Sequence, residues 1–358
     1  MGPGPSDVHP RVLGAMSKAT IGHLDPEFIA LMEDIKDLLR YCFQTENALT
    51  LPLSAPGSAA MEAAFANLLE PGDKAIVCIN GVFGMRMAEN VRRMGGDLVT
   101  VEDEWGTPVD AEKLQSALAQ HPDAKIVAFV HAETSTGVCS DAKTLCAMAA
   151  QAGCLSIVDS VTGLAGVELL VDDWGADVTY SGTQKCLSAP PGISLITFSE
   201  NAAARVQSRN TPVQSWFLDL SLLMAYWQGE GARTYHHTAP VNAMYGLHEA
   251  LLMVKEEGIE NAWQRHREMH GLLAQGVVSL GLDFVVAEDC RLPQLNLVRC
   301  PEGLDEGAVR KRLLHEYNLE IGAGLGAFAG KVWRIGLMGY SARRENVELC
   351  ISALRNCI

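Results

Sequence analysis

Ser181-Gly-Thr-Gln-Lys-Cys-Leu-Ser-Ala-Pro-Pro-Gly192 is a loop punctuated by glycine and proline, set between two apolar segments, Asp177-Val-Thr-Tyr180 before it and residues 193–198 after it. Both flanks read as buried strands. Lys185 is therefore held at the end of a sheet by turn chemistry, where loops carry function. A lysine removed from water loses its preference for the ammonium form, and the free amine can then form a Schiff base with an aldehyde. Taken alone, Ser-Gly-x-x-Lys is more often an ordinary surface turn. The rest of the chain decides between the two.

Upstream of the loop, Cys154-Leu-Ser-Ile-Val-Asp-Ser160 is an apolar strand ending in a carboxylate, followed by the small-residue turn Val161-Thr-Gly163. An acid at the carboxyl end of a parallel strand stands where open α/β sheets bind ligands. A pyridoxal phosphate site needs a lysine and an anion that keeps the pyridine nitrogen protonated, so that the ring acts as an electron sink. Lys185 and Asp159 supply that pair. On these two segments, and on Gly2-Pro-Gly-Pro-Ser6, Glu133-Thr-Ser-Thr-Gly137, Arg233-Thr-Tyr-His-His-Thr238 and Gly330-Lys-Val-Trp-Arg-Ile-Gly336, the sequence resembles the class V aminotransferases of fold type I. Within them it is similar to the alanine–glyoxylate and serine–pyruvate group. The blocks keep their order and span nearly the whole chain.

With 358 residues the chain can bury a large core, and its length suggests two domains. Its net charge of −15 argues against a non-specific nucleic-acid or anionic-membrane binder, which needs a basic patch. The ten cysteines form no CxxC pair, and several (Cys78, Cys146, Cys154, Cys350) lie in apolar segments. They read as reduced core residues and not as a disulfide frame or zinc site. No signal peptide is evident and no apolar run approaches a membrane span. The start, Met1-Gly-Pro-Gly-Pro-Ser6, formally matches a myristoylation pattern. In the resembling family, however, the same Gly-Pro-Gly-Pro is an internal entry segment near the active site, usually behind a longer leader. Peroxisomal members end in a Ser-Lys-Leu-like tripeptide, where this chain reads Asn356-Cys-Ile358. A cytoplasmic location is expected.

Taken in order, residues 1–24 read as an extended arm leading to Gly22 and His23. A helical pattern covers 26–43, with Phe28, Met32, Ile35 and Leu39 on one face. A strand over 49–54 turns through Ala55-Pro-Gly-Ser58 into a helix over 59–69. Such a turn opens either a plain helix with Ser58 as N-cap or a phosphate site on free backbone N–H groups. Strands follow at 75–79, 97–101, 125–131 and the segment carrying Asp159, alternating with helices at 85–94, 110–120 and 141–151. That alternation means a mostly parallel sheet covered on both sides. Beyond Phe198 come a tryptophan-rich helix over 216–227 and one long helical stretch over 242–280. A smaller α+β unit then has strands at 293–300, 319–321 and 332–338 and helices at 305–317 and 343–356.

The expected division is an N-terminal arm (1–24), a large domain (25–245) and a small domain (246–358) that includes the connecting helix. His236 and His237 point different ways with no carboxylate or cysteine at ligand spacing, so no metal is expected. Gly322-Ala-Gly-Leu-Gly326 precedes a strand, which removes a dinucleotide turn. Arg334, in an apolar strand, needs a partner. It is either half of a structural ion pair or a two-pronged clamp for a substrate carboxylate.

The resemblance implies a seven-stranded fold type I core and a role for each candidate. Lys185 is the catalytic lysine, Asp159 pairs with the ring nitrogen, Phe83 stacks on the ring where relatives commonly carry tryptophan, and Thr134 hydrogen-bonds the cofactor. Gly57, Ser58 and Gln184 take the phosphate. Tyr235 and Thr238 reach across a homodimer interface to the partner's phosphate. Gly22 and His23 lie beside the substrate, and Arg334 clamps its α-carboxylate. Relatives more often read Ser-Gly-His or Ser-Gly-Thr where this chain has Pro56-Gly-Ser58, and Pro56 removes one N–H from that cradle. The implied substrates are a small amino donor (alanine or serine) and a small 2-oxo acid (glyoxylate or pyruvate). Another class V activity stays open: ureidoglycine–glyoxylate transamination, or a lyase or desulfurase. A desulfurase wants a catalytic cysteine loop and a histidine over the ring, where Phe83 stands. A nicotinamide dehydrogenase would need a glycine fingerprint opening a helix. A non-catalytic scaffold leaves Lys185, Asp159 and Arg334 unexplained.

Overall fold

Residues 126–130, Ile-Val-Ala-Phe-Val, are buried without exception. So are the five-residue strands Val178–Gly182 and Ser194–Phe198. Strands apolar on both faces must be covered on both faces, and helices provide the cover. The computed structural model describes residues 1–227 and 234–358, so Arg233 of the motif above lies outside the described residues. Its strands are β1 (Leu49–Leu53), β2 (Lys74–Ile79), β3 (Asp97–Glu102), β4 (Ile126–Val130), β5 (Ala132–Glu133), β6 (Val138–Cys139), β7 (Leu155–Asp159), β8 (Val178–Gly182), β9 (Ser194–Phe198), β10 (Leu295–Arg299), β11 (Gly322–Ala323) and β12 (Val332–Gly336). Seven form one sheet in the order β1-β9-β8-β7-β4-β2-β3. The β3-β2-β4-β7-β8 run is parallel, and β9 is antiparallel to both β8 and β1. The expected mostly parallel, seven-stranded sheet is present.

This topology places the lysine. Asp159 ends β7 and is opposite Tyr180 of β8, while Gly182 of β8 is opposite Ser194 of β9. The loop from 183 to 193 therefore folds back at the carboxyl edge of the sheet, beside the end of β7. Residues of β10, β11 and β12 make a second, antiparallel sheet in the order β10-β12-β11. It carries a separate apolar cluster that includes Leu273, Leu313, Trp333, Ile335 and Leu354. No helix among the described residues is long and apolar enough to cross a membrane.

Several elements differ from the sequence reading. The N-terminal arm is not extended throughout. Pro10–Met16 is a helix, with Pro at its first turn and the His9 ring accepting the Arg11 N–H at 3.1 Å. Val12 is buried where this helix meets Val241–Glu257, and a Cβ on Gly246 would lie 2.7 Å from Met16. The stretch expected as one long helix breaks at Gly258, whose φ of 87° is left-handed, into Val241–Glu257 and Ile259–Ser279. The tryptophan-rich helix is shorter, Leu220–Trp227, because Asp219 takes the Ser221 N–H at 2.9 Å and starts it there. Trp216 stays outside, exposed and stacked on His236 at 4.4 Å. The strand expected over 319–321 is β11, pairing Gly322 with Arg334.

Candidate active site

Lys185 is buried among groups the sequence places far away. Its Nζ donates to the Pro3 carbonyl at 2.6 Å, and a Cβ on Gly4 would lie 2.7 Å from the same nitrogen. Gly4 has a φ of +102°, so glycine serves both the turn and the close approach. Ser6 completes the tie, donating its hydroxyl to the Lys185 carbonyl at 2.6 Å and its N–H to the Gln184 carbonyl at 2.9 Å. Met1 meanwhile accepts the Gly336 N–H at 2.7 Å in the second sheet. The arm thus runs from one core to the other directly over the amine. Burial, and after it the Arg334 charge, lowers the Lys185 pKa from 10.5 to about 8.

Asp159 is buried and lifted from 3.8 to about 7, chiefly by loss of water. Two donors oppose that lift, the Val161 N–H at 2.9 Å and the Tyr180 hydroxyl at 2.9 Å. Tyr180 was not among the residues expected at the site, although its pairing opposite Asp159 follows from the register of β7 and β8. A buried carboxylate with one missing counter-charge fits a protonated ring nitrogen.

Glu133 is the larger omission. Its fully buried carboxylate accepts the Ser135 N–H (2.8 Å), the Ser135 hydroxyl (2.6 Å) and the Phe83 N–H (3.1 Å). Ser135 also takes the Val82 N–H at 2.9 Å. These acceptors open the helix Val82–Arg93, earlier than the residue 85 expected from sequence, and put Phe83 in its first turn. Phe83 is half-buried with Arg86 4.9 Å from its ring centroid. Any side chain at Gly81 would collide with Glu133. Thr134, also buried, is hydrogen-bonded through its hydroxyl to Thr162.

The helix Gly57–Leu68 begins beside Val161 and Gly182, where a Cβ on Gly57 would lie 3.6 Å from the Val161 side chain. Pro56, and not Ser58, is its N-cap and makes no side-chain cap, so Ser58 sits in the first turn, exposed. The Ala59 N–H turns back to the Pro56 carbonyl at 2.7 Å. Among the described residues the Gly57 and Ser58 N–H groups have no acceptor, which suits an anion at the positive end of the helix. Gln184 brings a buried Oε1 with no hydrogen-bond partner, 2.7 Å from where a Cβ on Gly182 would be. The two free N–H groups fit a phosphate, and Gln184 would meet it through its amide NH₂, since Oε1 can only accept.

Arg334 in β12 is buried and has no carboxylate partner among the described residues. Its Nε donates to the Ala323 carbonyl at 2.7 Å and one terminal nitrogen donates to the Thr134 carbonyl at 3.2 Å. A structural ion pair is therefore not its arrangement. His23 is half-buried, 3.1 Å through Nδ1 from the Tyr226 hydroxyl, with the Tyr235 ring at 5.2 Å; Gly22 beside it is exposed. Tyr235 and Thr238 are exposed and hydroxyl to hydroxyl at 3.3 Å. His236 and His237 bond each other through Nδ1 at 2.8 Å, and His237 reaches Ser54 at 2.7 Å.

An amine stripped of water near a buried acid at the carboxyl edge of a parallel sheet, with an open helix N-terminus alongside, defines a pyridoxal phosphate enzyme of fold type I. The family model "Aminotransferase class-V" matches residues 5–348, and the chain belongs to that family. An alanine–glyoxylate aminotransferase of Rattus norvegicus is 41% identical over 360 residues, covering 100% of this chain and 87% of the relative. The crystal structure of an alanine–glyoxylate aminotransferase from Nostoc sp. superposes with a TM-score of 0.97 at 46% identity, covering 100% of this chain and 94% of that one. A ureidoglycine–glyoxylate aminotransferase from Bacillus subtilis superposes equally well, with a TM-score of 0.97 at 39% identity, covering 100% and 92%. The protein is an aminotransferase that uses pyridoxal phosphate.

Proposed function

We propose that the chain transfers the amino group of a small amino acid, alanine or serine, to a small 2-oxo acid, glyoxylate or pyruvate. The observation that carries this reading is Arg334, a buried guanidinium whose remaining donors have no carboxylate partner among the described residues. A substrate α-carboxylate is the partner it lacks. Pyridoxal phosphate, when bound, supplies the electron sink that makes the substrate Cα proton removable. Gly57, Ser58 and Gln184 hold its phosphate, Asp159 holds the proton on its ring nitrogen, and Phe83 and Thr134 fix the ring. Lys185, at about 8, takes the Cα proton at Nζ and returns it as general acid. The arm over Nζ excludes water, and His23 with Gly22 borders the substrate.

The working unit in this reading is a homodimer. Its support is the pair of exposed hydroxyls, Tyr235 and Thr238, beside the exposed Trp216, groups suited to meeting a second copy and its phosphate. All ten cysteines are free, which suits a reducing, cytoplasmic setting. Similarity to the Bacillus subtilis transaminase keeps ureidoglycine in view as a donor. The test is a donor profile of alanine, serine and ureidoglycine against glyoxylate and pyruvate. The reading expects alanine or serine to give the largest kcat/KM, and a preference for ureidoglycine would replace it.

A further inference from the structure

A cavity of about 430 Å³ opens between the start of the arm helix, the helices Val241–Glu257 and Ile259–Ser279, and the segment from Gly339 to Arg343. Lys185, Asp159 and Arg334 do not line it, but the three residues that follow the lysine do. Its volume lies in the range of small-ligand sites. The wall carries three arginines and two glutamates. Two of the arginines are engaged. Arg11 donates to both carboxylate oxygens of Glu256 (2.7 and 3.0 Å) and to Glu249 (2.7 Å). Arg265 holds both oxygens of Glu257 (2.6 and 2.9 Å) and the Gly339 carbonyl (2.7 Å).

Arg343 is different. Among the described residues it has no carboxylate, and its Nε is buried without a hydrogen-bond partner. Its guanidinium lies 4.0 Å from the Tyr340 ring centroid, with the His9 ring edge-on to the same tyrosine at 4.5 Å. An aromatic face attracts the charge but takes none of the in-plane N–H donors, and a buried donor left unpaired is costly. The charge count then limits the ligand. With Glu249 also on Arg11, three arginines meet three carboxylates and the surroundings balance, so Arg343 offers its donors to one carboxylate, whereas a dianion would meet Glu256 and Glu257 as well as Arg343. Leu187, Met253 and Val254 supply apolar wall.

Occupancy here bears on the catalytic loop. The Tyr340 N–H donates to the Ser188 hydroxyl oxygen at 2.8 Å, Ser188 and Ser6 are hydroxyl to hydroxyl at 3.2 Å, and Ser6 donates to the Lys185 carbonyl at 2.6 Å. Ser188 is itself held at a φ of +53°. We infer that this cavity is an effector site for a small monocarboxylate with an apolar body, the carboxylate on Arg343 and the body against Leu187, Met253 and Val254.

The test uses the holoenzyme and hexanoate as probe, with acetate and inorganic phosphate as comparators, in the parent, Arg343→Gln, Met253→Trp and Arg334→Gln. Calorimetric titration should find hexanoate bound more tightly than either comparator, and equally by the parent and Arg334→Gln. Binding should weaken by at least about 10-fold in Arg343→Gln and disappear in the cavity-filling Met253→Trp. Saturating hexanoate should change kcat for the preferred donor in the parent and leave Arg343→Gln unaffected. Affinity unchanged in Arg343→Gln, affinity lost in Arg334→Gln, tighter binding of phosphate, no binding, or an effect on KM alone would each overturn the proposal.

Discussion

Arg334→Ala removes a guanidinium that β12 buries and that, among the described residues, two backbone carbonyls hold, Ala323 at 2.7 Å and Thr134 at 3.2 Å. A guanidinium has five N–H donors, so most of its capacity is left for a ligand. Hydrogen bonds to charged groups contribute about 1.5–3 kcal/mol each, and a bidentate carboxylate makes two. Loss of the pair, at about 3 kcal/mol on the low side, lowers kcat/KM by at least about 10²-fold. Arg334→Lys keeps the charge without the fork and should fall between parent and alanine variant. The assay is a single-turnover half-reaction with L-alanine or ethylamine as donor, following loss of the bound cofactor's visible band. Ethylamine has no carboxylate, so its rate should be nearly the same in all three proteins, and cofactor content should be unchanged. Arg334 also depresses the Lys185 pKa, so that value should rise in Arg334→Ala. If both variants handle alanine as the parent does, the guanidinium is purely structural and the substrate carboxylate binds elsewhere.

Other consequences are open to direct measurement. With Lys185 at about 8, the apoprotein's amine is about one-quarter unprotonated at pH 7.5, against about one part in a thousand for an ordinary lysine. The rate of cofactor capture in stopped flow should rise through pH 8 and level by pH 9, and a climb that continues towards pH 10.5 would contradict the burial. Between about pH 8 and 10.5 the folded apoprotein binds fewer protons at this group than the unfolded chain does. Its contribution to stability therefore rises with pH across that window. Glu133→Gln presents an amide NH₂ to donors that now meet a carboxylate, so urea unfolding should show a loss of about 1–3 kcal/mol, and an unchanged midpoint would remove Glu133 as the organiser of the Phe83 helix. Tyr235→Phe should release cofactor more readily while light scattering still reports the parent's assembly state; equal retention on dilution would remove the cross-subunit role.

The large sheet was legible because its strands are continuous apolar runs separated by helix-period segments, and because each signal lies within a few residues of the element it defines. Asp159 and Lys185 were legible for the same reason: a carboxylate ending one strand and an amine in the loop after the next. The helix of Phe83 was misjudged at its start because its cap is Glu133 and Ser135, some fifty residues along the chain. No local pattern announces an acceptor that arrives by tertiary folding. The arm shows the opposite failure. His9-Pro10 is a local helix start, but glycine and proline around it suggested extended chain. The break at Gly258 was likewise carried by a single glycine inside an otherwise helical pattern. Arg334 had two readings because an apolar strand does not announce which groups meet the guanidinium, here the Ala323 and Thr134 carbonyls.

Reduction of the holoenzyme with borohydride, followed by peptide mass spectrometry, tests the central assignment most directly. The account predicts that the cofactor is retained on Lys185 and on no other lysine, and that Lys185→Ala retains none. Reduced cofactor on another lysine, such as Lys331, whose Nζ instead donates to the Ala327 carbonyl at 3.0 Å at the protein surface, would contradict it.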